Sequence, residues 1–353
     1  MRDRALRSLP VPAIVGVQEK TPDRPNTAKE SKEIDKDTVE YWEPSVANKS
    51  IPKAPVRWLI KTKSDGVNCA LADDANVWCG TGNGTVYQLS HDGAFRDVQR
   101  VSSAVRTFAV ERGRVFVGCI GGTVEQLTLN GPSIIWKTPG GNELRGLALF
   151  QQTLVVHSVP NRITVLNQSG RVLWEREVRG YASLMVQCDE DAIYVADFDE
   201  TNGTPVTAHS SKTGDPLWSV PGVWAQAGTL MGAFLVVGTV AGEVVALNKS
   251  NGARVWARKT AQQVISCATG GNAVFAGDLD RLYAWGEHGE ELWQMVLPAS
   301  AEPTHICRHG DHLYVASATG SLACVNLNPV AIEDARNGRA PRARVIKAPA
   351  STG

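Results

Sequence analysis

The sequence predicts an all-β fold, a seven-bladed β-propeller of four-stranded blades, and three observations carry that expectation. First, short strand-like runs recur: GTVYQL, GGTVEQL, NRITVL, TPVTAH, GEVVAL, RLYAW and SLACV. Their first apolar residues are Val86, Val124, Ile163, Val206, Val244, Leu282 and Leu322, spaced by 38, 39, 43, 38, 38 and 40 residues. A period near 40 marks blades or solenoid units, none of which can bury its own faces alone. Second, each of the first six runs is followed by a turn ending in Gly93, Gly131, Gly170, Gly214, Gly252 or Gly289, and in five units a tryptophan follows four or five residues later: Trp136, Trp174, Trp218, Trp256 and Trp293. Turns such as LNG, QSG, KTG and SNG suit hairpins with positive φ. Third, the ring closes: the last unit lacks its Trp-bearing strand, while PVRWLIKTK at Pro55 to Lys63 supplies one, with Trp58, before the first unit.

Within a unit, apolar runs such as NVWCG, RVFVG, AIYVA, FLVVG, AVFAG and HLYVA precede the repeat strand. Consecutive apolar positions fit strands covered on both faces by neighbouring blades. The stretch GTGNGTVYQL, Gly80 to Leu89, resembles a phosphate-binding loop, but no helix pattern follows and no Lys-Ser or Lys-Thr pair completes it. Gly80, Gly82 and Gly84 are therefore read as turn glycines. After the seventh repeat strand the position of the turn glycine holds Pro329, so the N-terminal strand is expected to form the outer strand of the last blade and remove a free edge.

The expected organisation is a flexible N-terminal arm over 1–53, the propeller over 54–328, and a flexible basic tail over 329–353. The arm is rich in Lys, Glu, Asp, Thr and Pro and lacks apolar periodicity. Its aromatic island VEYWEPSV makes Tyr41 and Trp42 candidates for partner contact, or for packing back on the propeller. The tail carries Arg336, Arg339, Arg342, Arg344 and Lys347 among small residues and prolines. Arg342 and Arg344 are candidates there for an acidic partner or RNA.

The 353 residues balance 36 basic against 36 acidic side chains, so no net field selects nucleic acid, anionic membrane or acidic substrate. Seven scattered cysteines, Cys69, Cys79, Cys119, Cys188, Cys267, Cys307 and Cys324, with no CxxC pair, fit reduced core thiols. The N-terminal MRDRALRSLPVPAIVGVQEK has basic residues before a short apolar run, but two prolines and Asp3 spoil a signal-peptide reading, and no apolar run reaches membrane-span length. A cytoplasmic location is expected.

At VVGTVAGEVVALNKSNGARVW, Val236 to Trp256, and at RITVLNQSGRVLW, the chain resembles the PQQ-like repeat of quinoprotein-type β-propellers, over about 275 residues. The resemblance implies architecture more than activity, since that family includes quinone-dependent dehydrogenases, an outer-membrane assembly lipoprotein and propellers that only bind proteins. The dehydrogenases usually have eight blades, calcium and often a vicinal cysteine pair. Here seven blades are counted and no two cysteines are adjacent. The lipoprotein needs a cysteine near its start, and the first here is Cys69.

Candidate chemistry is thin. HICRHGDH offers His305, Cys307, His309 and His312 as zinc-type ligands, but the segment aligns with strand and turn positions of other units, where Cys69, Cys188 and Cys267 stand. The loop ADFDETNGTP offers Asp197, Asp199, Glu200 and Asn202, one residue out of step with a calcium loop. No metal and no cofactor is expected, and Asp199 and Glu200 become partner-contact candidates because their loop accounts for the 43-residue step. His157 and His209 read as core histidines. No G-x-S-x-G elbow, no Cys-His pair in a recognisable catalytic setting and no H-E-x-x-H is present.

The expectation is a non-catalytic protein-interaction platform, subunit or adaptor of a larger intracellular assembly, with one or more proteins as partners. Family resemblance adds a possible place as a sensor beside an ATPase or protease. The alternatives are an enzyme using the channel, whether a divergent quinoprotein, a hydrolase or a lyase, and an envelope assembly factor.

Overall fold

Seven sheets stand where the repeat places them. The computed structural model describes residues 51–62, 66–178, 181–198, 205–297 and 303–349. Strand β1 (Val56–Lys61) comes first and belongs to the last blade. Blade 1 contains β2 (Val67–Ala72), β3 (Val77–Thr81), β4 (Thr85–Leu89) and β5 (Phe95–Arg100). Blade 2 contains β6 (Val105–Glu111), β7 (Arg114–Cys119), β8 (Thr123–Gln126) and β9 (Ser133–Lys137). Blade 3 contains β10 (Leu144–Phe150), β11 (Thr153–Ser158), β12 (Arg162–Asn167) and β13 (Val172–Glu177). Blade 4 contains β14 (Tyr181–Cys188), β15 (Ala192–Phe198), β16 (Val206–Ser210) and β17 (Pro216–Val220). Blade 5 contains β18 (Ala225–Met231), β19 (Phe234–Thr239), β20 (Glu243–Asn248) and β21 (Arg254–Lys259). Blade 6 contains β22 (Ser266–Gly270), β23 (Ala273–Gly277), β24 (Arg281–Gly286) and β25 (Glu291–Val296). Blade 7 contains β26 (Pro303–His309), β27 (His312–Ser317) and β28 (Ser321–Asn326), joined by β1.

The first apolar residue of each of the seven repeat strands is buried: Val86, Val124, Ile163, Val206, Val244, Leu282 and Leu322. The reason for consecutive apolar residues is visible in β11. Leu154 and Val156 enter the cluster between blades 2 and 3, while Val155 between them enters the cluster between blades 3 and 4. A strand alternates sides at every residue, so a strand sandwiched between two blades needs apolar groups on both. Among the described residues seven apolar clusters form, one at each blade-to-blade joint.

The six tryptophans Trp58, Trp136, Trp174, Trp218, Trp256 and Trp293 all lie on outer strands. Four indole N–H groups donate to a carbonyl in the last turn of the next blade: Trp58 to His91 at 3.0 Å, Trp174 to Ser211 at 3.1 Å, Trp218 to Lys249 at 2.8 Å and Trp256 to Glu287 at 2.9 Å. The glycines after those carbonyls are there for two reasons. Gly252 has φ 73°, and a Cβ on it would come within 2.7 Å of Val220 and 2.8 Å of Trp218. Gly80 is a correction. It lies within β3 rather than in a turn, and a Cβ there would come within 2.4 Å of Val105, so close inter-blade packing is what it permits.

The closure is as expected in its first step: β1 runs antiparallel to β28, pairing Trp58 with Cys324 and Lys61 with Ser321. The C-terminal tail departs from the expected flexible chain. Residues Pro329–Arg336 form helix α1, with Asn328 as its N-cap and Pro329 in its first turn, where the missing N–H costs nothing. Ile332 and Ala335 bury against blades 6 and 7. The chain then returns as β29 (Arg344–Lys347), a fifth strand parallel to β1 with Ile346 opposite Ile60. An open β1 edge offers unpaired N–H and C=O groups, and this explains why so polar a segment becomes a strand. Ahead of β1, Lys53 makes an isolated bridge to Val296 of blade 6.

Candidate functional site

Because every blade runs up and down, the connections between blades and the second-to-third strand turns share one face, here called upper. The inner strands begin at that face. In six of them the pairing slips soon after the start: between Val67 and Cys69, Val105 and Thr107, Leu144 and Gly146, Ala182 and Val186, Ala225 and Ala227, and Pro303 and His305. A bulge re-aims the side chain it leaves unpaired. The skipped residues include Asn68, Arg106, Arg145, Leu184, Gln226 and Thr304, and all six line the central channel, a cavity of about 670 Å³.

Three of the six tie one blade to the next. Asn68 donates to the Val105 carbonyl at 2.8 Å, Gln226 to that of Val264 at 2.7 Å, and Thr304 to that of Val67 at 2.5 Å. Blades 2 and 3 differ. Arg106 donates to one oxygen of Glu143 at 2.7 Å and Arg145 pairs with the other at 3.2 Å, so two guanidinium groups share one carboxylate. Each arginine also holds its Nε buried with no acceptor. In blade 4 the place is taken by Leu184, which is 46% exposed. No described residue lining the cavity is acidic. His305 lines the wall as well, and burial pushes its pKa down to about 4, so it is neutral near pH 7.

The HICRHGDH segment is thereby taken apart. His305 faces the channel, Cys307 packs with the blade 7–blade 1 cluster and burial pushes its thiol pKa up, and His309 sits at the lower end, 3.3 Å from Asp74. His309 stacks on His91 at 5.2 Å, while the ring nitrogens of His91 meet the Tyr314 hydroxyl at 2.6 Å and the Asp73 carbonyl at 2.8 Å. His312 meets Arg57 at 3.1 Å. Among the described residues no group of three or more His, Cys, Asp or Glu side chains is placed to hold a metal ion.

Asp197 is buried in a network instead of facing a loop ligand. One of its oxygens accepts from Asn161 at 3.0 Å, the other from Thr207 at 3.1 Å, and His157 lies 3.7 Å away with its Nε2 2.6 Å from the Asn161 oxygen. Burial is the main cause of both pKa shifts there, raising Asp197 to about 6 and lowering His157 to about 4. His209 is buried too, near the Gly214 carbonyl at 3.2 Å, and burial lowers its pKa. Both histidines are core groups, as expected. Tyr41, Trp42, Asp199 and Glu200 lie outside the described residues. Arg344 belongs to β29 and donates to the Asp92 carbonyl at 2.6 Å, and Arg342 stands exposed just before it.

Exposed apolar side chains stand on upper-face connections and turns of blades 4 to 6. Trp224, Val240 and Leu279 are 42%, 45% and 37% exposed, and the Val240 N–H donates to the Trp224 carbonyl at 3.1 Å. Trp224 has φ 53°, a left-handed backbone that a bulky residue rarely adopts. These exposed apolar groups and the arginine pair were missed in the sequence. The signal for the pair was present: aligned inner strands put Asn68, Arg106, Arg145, Gln226 and Thr304 in one column.

The architecture defines a class, the seven-bladed β-propeller of four-stranded blades. Residues 120–266 match the PQQ-type family model described as outer membrane protein assembly factor BamB. Similar solved structures include U3-55K (13% identity, 78% of this chain and 100% of that one, TM-score 0.67). The computationally designed Ika8 protein is similar at 14% identity over 76% and 99% of the two chains, with a TM-score of 0.59. BamB from Moraxella catarrhalis follows at 13% identity over 77% and 99%, with a TM-score of 0.56. At such identities the likeness shows the fold. No curated protein matches this chain. No helix among the described residues is long and apolar enough to cross a membrane.

Proposed function

We propose that the protein is a non-catalytic interaction platform, a subunit or adaptor of a larger cytoplasmic assembly. The observation that carries this reading is Trp224, held exposed in a left-handed backbone beside exposed Val240 on a rigid frame. Backbone strain of about 1–3 kcal/mol persists where the surroundings enforce it and clusters at binding sites. The rigid joints hold the upper-face side chains in place without a partner, which lowers the ordering cost of association. The test is affinity purification from the native cell with mass spectrometry, using the full chain, a version lacking residues 1–50, and Trp224→Ala. A stable partner lost from Trp224→Ala is the expected result, and the absence of any protein partner from the full chain would sink the reading.

The family-model match favours a second reading, an assembly factor for envelope proteins, because the matched description is of such a factor. Fractionation separates the two: recovery of the protein with its Met1 intact in the cytosolic fraction supports the first, and recovery in the envelope supports the second.

A further inference from the structure

The upper mouth of the channel has a chemistry that the rest of the ring lacks. At equivalent places on neighbouring inner strands stand Arg106, Arg145 and Leu184. Among the described residues the cavity lining has two guanidinium groups and no carboxylate, and both guanidinium groups pair with Glu143, so these three side chains together carry one excess positive charge. The Arg106 and Arg145 side chains are 23% and 33% exposed, so a ligand in the cavity can reach them. A planar guanidinium fork matches a carboxylate. Leu184, an exposed leucine lining the same cavity, stands one blade away from Arg145. Trp224 and Val240 are exposed on the same upper face.

We infer that the mouth of the channel binds the C-terminal end of a partner polypeptide, its free carboxylate on Arg145 and Arg106 and its last, apolar side chain on Leu184. The inference deepens the platform reading and rests on it. A small anion would satisfy the arginines but leave Leu184 and the rim uncovered. A terminus entering end-on brings a carboxylate and an apolar side chain at once. About 670 Å³ is room for two or three residues, within the usual range of ligand sites.

The test is fluorescence anisotropy of the full chain with labelled hexapeptides ending in leucine, as the free acid and as the C-terminal amide, with inorganic phosphate and acetate as competitors. The free acid should saturate and the amide should bind at least about tenfold more weakly, since a lost charge-assisted bond is worth that much. Arg145→Gln should lose about tenfold and Leu184→Ser about threefold, while Glu143→Gln, which removes the competing anion, should tighten binding about threefold. Circular dichroism and thermal melting identify any variant that fails to fold, and Glu143→Gln moves binding in the opposite direction, which a general loss of structure cannot do. Equal binding of acid and amide, no saturation by the free acid, unchanged binding in Arg145→Gln, or displacement by equimolar phosphate would each overturn the proposal. If a native partner co-purifies equally with the full chain and with Arg106→Gln/Arg145→Gln, the channel site fails and the platform stands; if nothing co-purifies with the full chain, the platform itself fails.

Discussion

The ordinary joints and the closing blade solve one problem by different means. Between blades 3 and 4, 4 and 5, and 5 and 6, an outer-strand tryptophan lies over a glycine turn of the next blade and hydrogen-bonds to it. Joint 7–1 keeps this device, with Trp58 on His91 and Gly93, but there the tryptophan is 1% exposed, because β29 lies outside β1 and Ile346 reaches the same glycine. At joint 6–7 the turn is gone, and α1 packs into the cluster that Trp293 borders. A local turn suffices where the chain is continuous. Where its two ends meet, extra layers shield strands joined by no short loop.

The largest effect should come from the closure. Trp58→Ala removes a fully enclosed indole and its bond to His91, and should cost about 3–5 kcal/mol in urea denaturation. Trp174→Ala, at a half-buried ordinary joint, should cost clearly less; equal losses would erase the distinction between the two joints. Ending the chain at Gly338, which removes β29, should cost about 2 kcal/mol, the value of burying one large aliphatic side chain, and should promote self-association through the bared β1 edge. An unchanged melting temperature and a monomeric elution profile would show that β29 adds nothing to closure.

The glycine turns sharpen the same contrast. Gly252→Ala combines a left-handed φ with a collision against Trp218 and Val220, and should cost about 2 kcal/mol. Gly113→Ala has a similar φ of 77° with nothing within 4 Å, and should cost about 1 kcal/mol. The difference measures the tryptophan contact, and equal costs would mean that the backbone alone demands glycine.

An effect seen only against pH belongs to joint 3–4, where His157, Asn161 and Asp197 form a polar seam. Asp197 keeps its proton longer when folded, with a pKa of about 6 against 3.8, so its contribution to stability falls as pH rises from about 4 to about 6. His157 gives up its proton earlier when folded, about 4 against 6.5, so its contribution rises from about pH 4 to 6.5. The two slopes oppose, and this pair should leave stability nearly flat across that window. Asp197→Asn should expose the rise, about 1–2 kcal/mol more stability at pH 6.5 than at pH 4.5, in denaturation at the two values. A curve as flat as that of the unmodified chain would mean that the groups do not titrate in this way.

The repeat strands, the tryptophan column and the turn glycines were legible because each follows a pattern within one 40-residue unit, where strand period and turn chemistry act locally, and the closing strand because the repeat leaves one outer strand missing at its end and one spare at its start. Gly80 was misread because its need for space comes from Val105 in the next blade. The tail was misread because RAPRARVIK has little apolar content of its own; only the open edge of β1 makes it a strand. The candidate site was legible in part. Arg106 and Arg145 stand in the column of the other bulge residues, but that column has meaning only once the bulges turn those side chains into a shared channel.

The sequence by itself therefore determined the number of blades, the path of the chain through each and the place of closure, all consequences of short-range periodicity. Tertiary structure decided which polar groups meet: two arginines on one glutamate at the channel mouth, a buried aspartate beside a histidine, and a basic tail laid down as a strand. The bringing together of residues tens or hundreds apart is set by the closing of the ring, and no local pattern encodes it.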